Sequence, residues 1–237
     1  MNDEVREYLE EEVPELAEVL GRQVVPAMLA EAEPSDEDEI PVGGSKWCGR
    51  PDVPAGFAWP MTPDGPCWFL GQLSLADCQP FELGLELPDH GLLSFFYHDA
   101  GGPAGDQSRV FWFTEPELTR IEIVPDTRWG PESSIHALLA PRKFTFSQGY
   151  ALPEEEHLEL TDDERAVYDD LFDFILAFND FGESTHQFFG LPRWLDARGD
   201  QLLASFGIQD GRIPSLIPES NVPSLTLSRL RVRYDCT

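Results

Sequence analysis

The densest grouping of reactive side chains lies in a run punctuated by Gly and Pro, Gly43-Gly44-Ser45-Lys46-Trp47-Cys48-Gly49-Arg50-Pro51. Cys48 stands two residues from Lys46 and two from Arg50, and neighbouring cations favour the thiolate that nucleophilic chemistry needs. A free cysteine is more often a small buried hydrophobe, and a structural role is the reading taken for Cys48. Trp47 and Trp59 flank Arg50 and Asp52 in the same loop, a mixture of flat apolar rings and opposite charges that suits a ligand or peptide groove. The same rings also serve to pin an irregular loop onto a sheet, because large aromatics are usually substantially buried. His186 opens a second run, His186-Gln187-Phe188-Phe189-Gly190-Leu191-Pro192, where it either lines a site or bonds a turn. Trp47, Arg50, Asp52, Trp59 and His186 are therefore the candidate binding surface.

Other chemistry is sparse. There is no Gly-x-Ser-x-Gly elbow and no Ser-x-x-Lys pair, so no catalytic nucleophile is assigned. His98-Asp99 is an isolated pair, and His90, His136, His157 and His186 are scattered, without the convergent spacing of a metal site. Ala100-Gly101-Gly102-Pro103-Ala104-Gly105 is glycine-rich, but Pro103 removes a donor and no helical pattern follows, unlike a phosphate cradle. No catalytic, cofactor-binding or metal residue is expected. Cys48, Cys67, Cys78 and Cys236 lack paired spacing, which points to free thiols in a reduced cytoplasm. No secretory leader is visible at Met1-Asn2-Asp3-Glu4, and no apolar run is long enough to span a membrane.

The elements that must position these residues are mostly strands. Cys67–Leu73, Gly91–Tyr97, Val110–Phe113, Ile121–Val124, Lys143–Phe146, Gln201–Phe206 and Leu225–Tyr234 are apolar runs bounded by turn residues. Val5, Leu9, Val13, Leu16, Val19 and Leu20 form a helical stripe, with Glu31–Glu39 read as an acidic linker. Thr161-Asp162-Asp163-Glu164 is a capping box ahead of Val167, Leu171, Ile175 and Phe178, so an amphipathic helix is expected near 161–180. Leu70, Leu93, Phe95, Leu171, Ile175 and Leu203 are expected to share one core. A short internal echo links Trp47-Cys48-Gly49-Arg50-Pro51, followed by Phe69-Leu70, to Phe188-Phe189-Gly190-Leu191-Pro192, followed by Leu202-Leu203.

Charge is concentrated in two places. The net charge is −28 from 44 acids and 16 basic residues. Residues 1–40 carry 14 acids against Arg6 and Arg22, and residues 153–183 carry 12 against Arg165. Such a field repels phosphate backbones, which argues against DNA or RNA as partner, and it suits a basic protein.

Several of these runs together resemble the YwqG-like family, domain of unknown function 1963. They are Gly43-Gly44 with Gly49-x-Pro51, Val53-Pro54, Trp59-Pro60, Phe69–Leu75, Leu87–Phe96, and His186–Pro192 with Leu202-Leu203. The resemblance implies an α+β fold with two structurally similar β-rich halves, and no established activity. The family commonly continues through a Trp-Gly-Asp-x-Gly stretch into a further strand. Here Ile208-Gln209-Asp210-Gly211-Arg212 runs into a Pro- and Ser-rich segment, which implies a truncated or divergent C-terminal half-sheet.

The sequence thus leads to an α+β protein: a β-rich core of two related half-sheets, an acidic helical segment and linker at 1–40, and a YwqG-like domain at 41–237. The expected role is a non-enzymatic protein-binding or adaptor factor, of immunity or stress-associated type, acting on a basic protein partner. The alternative is an enzyme or small-ligand-binding protein with its site between the halves.

Overall fold

The computed structural model describes residues 3–14, 17–98, 109–114, 116–124, 140–153, 158, 160–179, 185–191, 200–208, 211–218 and 231–232. It is a β-rich α+β fold. Helices α1 (Asp3–Glu12) and α2 (Ala17–Gly21) lead into strand β1 (Val25–Pro34). Strands β2 (Lys46–Trp47), β3 (Asp52–Pro54), β4 (Met61–Thr62), β5 (Gly65–Pro66) and β6 (Trp68–Ser74) follow. Next come β7 (Leu92–Tyr97), β8 (Arg109–Phe113), β9 (Leu118–Arg120) and β10 (Arg142–Ala151). Helix α3 (Asp162–Asn179) precedes β11 (Thr185–Phe188), β12 (Asp200–Ile208), β13 (Gly211–Pro218) and β14 (Arg231–Val232). Among the described residues no helix is long and apolar enough to cross a membrane.

Ten of these strands make one antiparallel sheet in the order β14-β13-β12-β11-β1-β10-β2-β6-β7-β8, while among the described residues β3 pairs with β9, and β4 with β5, in two small sheets of their own. Its centre is β1, paired along ten residues with β10 and flanked on the other side by β11. Residues 25–34 were expected as helical segment and linker, since Ala, Met, Leu and Glu favour helix. The strand forms because neighbours on both edges satisfy its backbone, and Ala27, Met28, Leu29 and Ala30 are all buried, as in a strand covered on both faces. The Pro- and Ser-rich segment after Ile208 is likewise not lost from the sheet. It is β13, which pairs with β12 from Gly211 to Pro218. The expected strand at Ile121–Val124 lies just beyond β9, and residues 225–230 are outside the described set.

The sheet is strongly curled. Phe95 on β7 and Phe206 on β12 are six strands apart, roughly 29 Å on a flat sheet. Their ring centroids are 5.0 Å apart, so the two wings fold toward each other. The concave side holds the larger core, including Met28, Trp47, Leu70, Leu93, Phe95, Phe144, Phe188 and Phe206. A second core sits between the helices and the ends of β1 and β10, built from Val5, Leu9, Leu20, Tyr150, Tyr168, Leu171 and Ile175. The six residues expected in one core thus divide, with Leu171 and Ile175 in the second, and the Leu203 side chain lies outside the described set. Helix α3 starts on the capping box: the Thr161 N–H donates to the Glu164 carboxylate (2.7 Å), and the Glu164 N–H donates to the Thr161 hydroxyl (3.4 Å). Its end is fastened by Asn179, whose amide exchanges hydrogen bonds with both backbone groups of Tyr150.

Candidate functional site

The turn after β2 requires Cys48 and Gly49 to adopt positive φ (55° and 73°), a conformation costly for a residue with a Cβ. The turn after β11 repeats this at Phe189 and Gly190 (61° and 77°). Each is held by a neighbouring polar side chain. The Glu37 carboxylate accepts the Arg50 N–H (2.9 Å), and the Gln187 amide donates to the carbonyls of Phe189 (3.0 Å) and Leu191 (3.1 Å).

Around the first turn lies a buried ionic cluster. Lys46 and Asp52 have fully buried side chains, and Glu37 and Arg120 are nearly so. The Lys46 Nζ donates to Glu37 Oε1 at 2.7 Å and stands 3.6 Å from Asp52 Oδ2. Arg120 holds both Asp52 oxygens (2.8 and 3.2 Å) and donates to the carbonyls of Glu37, Ile40 and Pro41. Gln72 donates to Asp52 and to the Gly44 carbonyl (2.7 Å each) and accepts the Asp52 N–H (3.0 Å). The Gly43 N–H adds a further donor to Asp52 (2.9 Å). Two carboxylates and two cations therefore neutralise one another, as buried charges must.

Electrostatics follow from this geometry. Burial alone pushes the Asp52 carboxyl up, but the bonds from Arg120, the Lys46 charge, Gly43 and Gln72 together hold it below the ordinary carboxylate range. Burial lowers the Lys46 ammonium, opposed by Glu37 and Asp52. The cluster ties the 37–41 segment, the 43–52 loop and β9 to one another. Cys48 is buried, and burial raises its thiol pKa far more than the Arg142 charge lowers it, which disfavours the thiolate. Cys78 is likewise pushed up to about 12 by burial.

The five sequence candidates fall in three places. Arg50 and Asp52 join the ionic cluster, Arg50 also bonding Glu122 at 3.0 Å. Trp47 and His186 meet inside the curl, ring centroids 4.7 Å apart, with His186 also against Phe144 (5.3 Å) and Phe206 (5.8 Å). Both are buried, His186 to 1% exposure. Trp59 lies on the opposite face, edge-on to Phe96, its indole N–H donating to the Cys67 carbonyl (2.9 Å). Glu37, Lys46, Gln72 and Arg120 were not singled out as a site. Gln72 and Lys46 could have been, as polar residues within runs that otherwise bury apolar or small side chains. Glu37 is lost in an acidic tract, and Arg120 is 68 residues from Asp52.

His98 is buried with Nδ1 3.1 Å from the Pro66 carbonyl, and His90 is exposed beside Asp89. His136, His157, Asp99 and residues 100–105 lie outside the described set. Among the described residues, no group of three or more His, Cys, Asp or Glu is placed to hold a metal ion.

The packing also brings the acidic segments together. Tyr8 of α1 stacks on Phe174 of α3 with centroids 4.0 Å apart. Burial raises the Tyr8 hydroxyl pKa, and the charges of Asp170, Glu12 and Asp173 raise it further, so carboxylates of both helices act on one hydroxyl. Each helix carries six acids against one arginine, and Asp162, Asp169, Asp170 and Asp173 are exposed, as are Glu7, Glu10, Glu11 and Glu12.

No curated protein matches the sequence. A family model described as a domain of unknown function, DUF1963, matches residues 45–236, which takes in both positive-φ turns and every strand from β2 to β14. The chain belongs to the DUF1963 family.

Proposed function

We propose that the protein is a non-catalytic protein-binding factor whose acidic α1–α3 face meets a basic protein partner. The observation that supports this reading most is the stacking of Tyr8 on Phe174, which brings acidic segments about 160 residues apart in sequence side by side so that carboxylates of both act on the Tyr8 hydroxyl. Opposite charge across such a face steers encounter and selects partners. The space between the two wings supports it too, because Trp47, His186, Phe95 and Phe206 fill the seam with rings in contact. A cytoplasmic setting belongs to this reading, in keeping with free, buried thiols at Cys48 and Cys78. Nucleic acid is not part of it, given the sign of the charge.

The test replaces Asp162, Asp169, Asp170 and Asp173 by Asn together. As a control, Glu33, Glu39, Asp64 and Glu86, exposed elsewhere, are replaced by their amides. Basic proteins captured by wild type and by the control, and lost from the first variant with folding intact, are the expected result. Identical capture by all three contradicts the reading. Turnover of a small substrate that disappears on changing Arg50 or His186 supports the enzyme instead.

The sheet is also read here as two related halves meeting at the β1–β10 pair. In one, Lys46-Trp47 pairs with Gln72-Gly71; in the other, Gln187-Phe188 pairs with Ser205-Ala204. The register slips once past each, between Phe69 and Gly71 and between Leu202 and Ala204. Gly49 and Gly190 then occupy equivalent positions. A Cβ at Gly49 would lie 2.6 Å from Glu37 Oε2, and one at Gly190 would lie 2.8 Å from the Ala27 Cβ. Gly49→Ala and Gly190→Ala are each expected to cost about 1–3 kcal/mol in urea unfolding. A loss at one position and none at the other argues against equivalence.

A further inference from the structure

We propose that residues 51–57 together with 118–121 form a cover that opens as one unit, pinned by Arg120, from the outer face of β7 and β8. The connectivity supplies the first reason. Strand β3 pairs with β9 in a two-stranded sheet of its own, with Ile121 N–H donating to the Pro51 carbonyl (3.0 Å), and among the described residues no ladder of backbone bonds ties β3–β9 to the main sheet. The second reason is how β3–β9 is held. The polar attachments described for this pair come from two residues whose side chains bond each other: Asp52, held by Gln72, the Gly43 N–H and the Lys46 charge, and Arg120, which faces Glu37 and reaches three carbonyls of the 37–41 segment. The apolar attachment is Val53 with Leu92 and Phe113, and Phe57 against Phe96, Phe111 and Phe113 at 5.2–5.8 Å.

The third reason is a group that gains from opening. Ser94 points to the same face of β7 as Leu92 and Phe96, directly opposite Gln72 in register, and is fully buried. Its hydroxyl has no hydrogen-bond partner among the described residues. An unmet buried hydroxyl penalises the closed arrangement and recovers water when the cover lifts. Cooperative units of this kind, tied by few contacts, open below the free energy of global unfolding.

Native-state hydrogen exchange of the full chain under rising denaturant is the test. In wild type, amides of residues 53, 119 and 121 are expected to merge into one isotherm, about a hundredfold faster than the amides of β1 and β10. Ser94→Ala should slow exchange of the cover about fivefold. Phe206→Leu, inside the curl, should speed exchange of β1 and β10 and leave the cover unchanged. Arg120→Met should speed the cover about a hundredfold, by leaving Asp52 short of its counter-charge. The wild-type, Ser94→Ala and Phe206→Leu measurements decide the matter without it if that variant does not fold. Cover amides that share the β1–β10 isotherm, that accelerate equally with Phe206→Leu, or that are not slowed by Ser94→Ala overturn the proposal.

Discussion

Asp52→Ala is expected to lower stability by about 3–5 kcal/mol, the range for removing one partner from a buried ionic arrangement. The substitution takes the acceptor from both Arg120 bonds, the Gln72 amide and the Gly43 N–H, and leaves the buried Lys46 with Glu37 alone. The pH dependence follows from the same carboxylate. Its folded pKa lies below the ordinary value, so its contribution is complete above the unfolded pKa of about 3.9 and fades as pH falls through the folded one. Urea unfolding at pH 7 and pH 3 reads both effects. Wild type should lose more stability over that interval than Asp52→Ala does. An Ala variant within 1 kcal/mol of wild type at pH 7 would show that the cluster is not the anchor described.

Phe206→Ala should be comparably damaging, about 3–5 kcal/mol, with a melting temperature lower by about 6–20 °C for a chain of this length. Phe206 is fully buried and touches rings from both wings of the sheet: Trp47 at 5.0 Å, Phe95 at 5.0 Å, His186 at 5.8 Å and Phe188 at 5.7 Å. A double-mutant cycle with Phe95→Ala isolates the contact that only a curled sheet permits. Coupling of about 0.5–1.5 kcal/mol is expected, against none for residues six strands apart on a flat sheet.

Elements whose own residues specify them could be read in advance. The capping box and fourfold spacing of α3, and the continuous apolar run of β7, are local signals, and both elements stand where those signals put them. Strand β1 was hidden because its residues favour helix while its backbone partners lie more than 100 residues downstream. Strand β13 was hidden by Pro214 and Pro218, which weaken a strand pattern even though β12 pairs along its whole length. The Gly49 and Gly190 turns were visible as sequence; the groups that hold them were not. Glu37 reads as one more acid in an acidic tract, and Arg120 as an isolated cation. Trp47 and His186, candidates for a binding surface, pack against each other at the seam, a meeting that spacing along the chain does not reveal because it depends on the curl of the sheet.

On the proposed reading, the joined acidic face governs encounter with a basic protein. Stopped-flow association of a captured basic partner, measured from low to high salt with wild type and with the Asp162, Asp169, Asp170 and Asp173→Asn chain, tests it most directly. Wild type should associate about tenfold more slowly at high salt while its dissociation rate changes little, and the neutralised chain should start slow and respond weakly. Equal association rates and equal salt dependence for the two chains would contradict the claim.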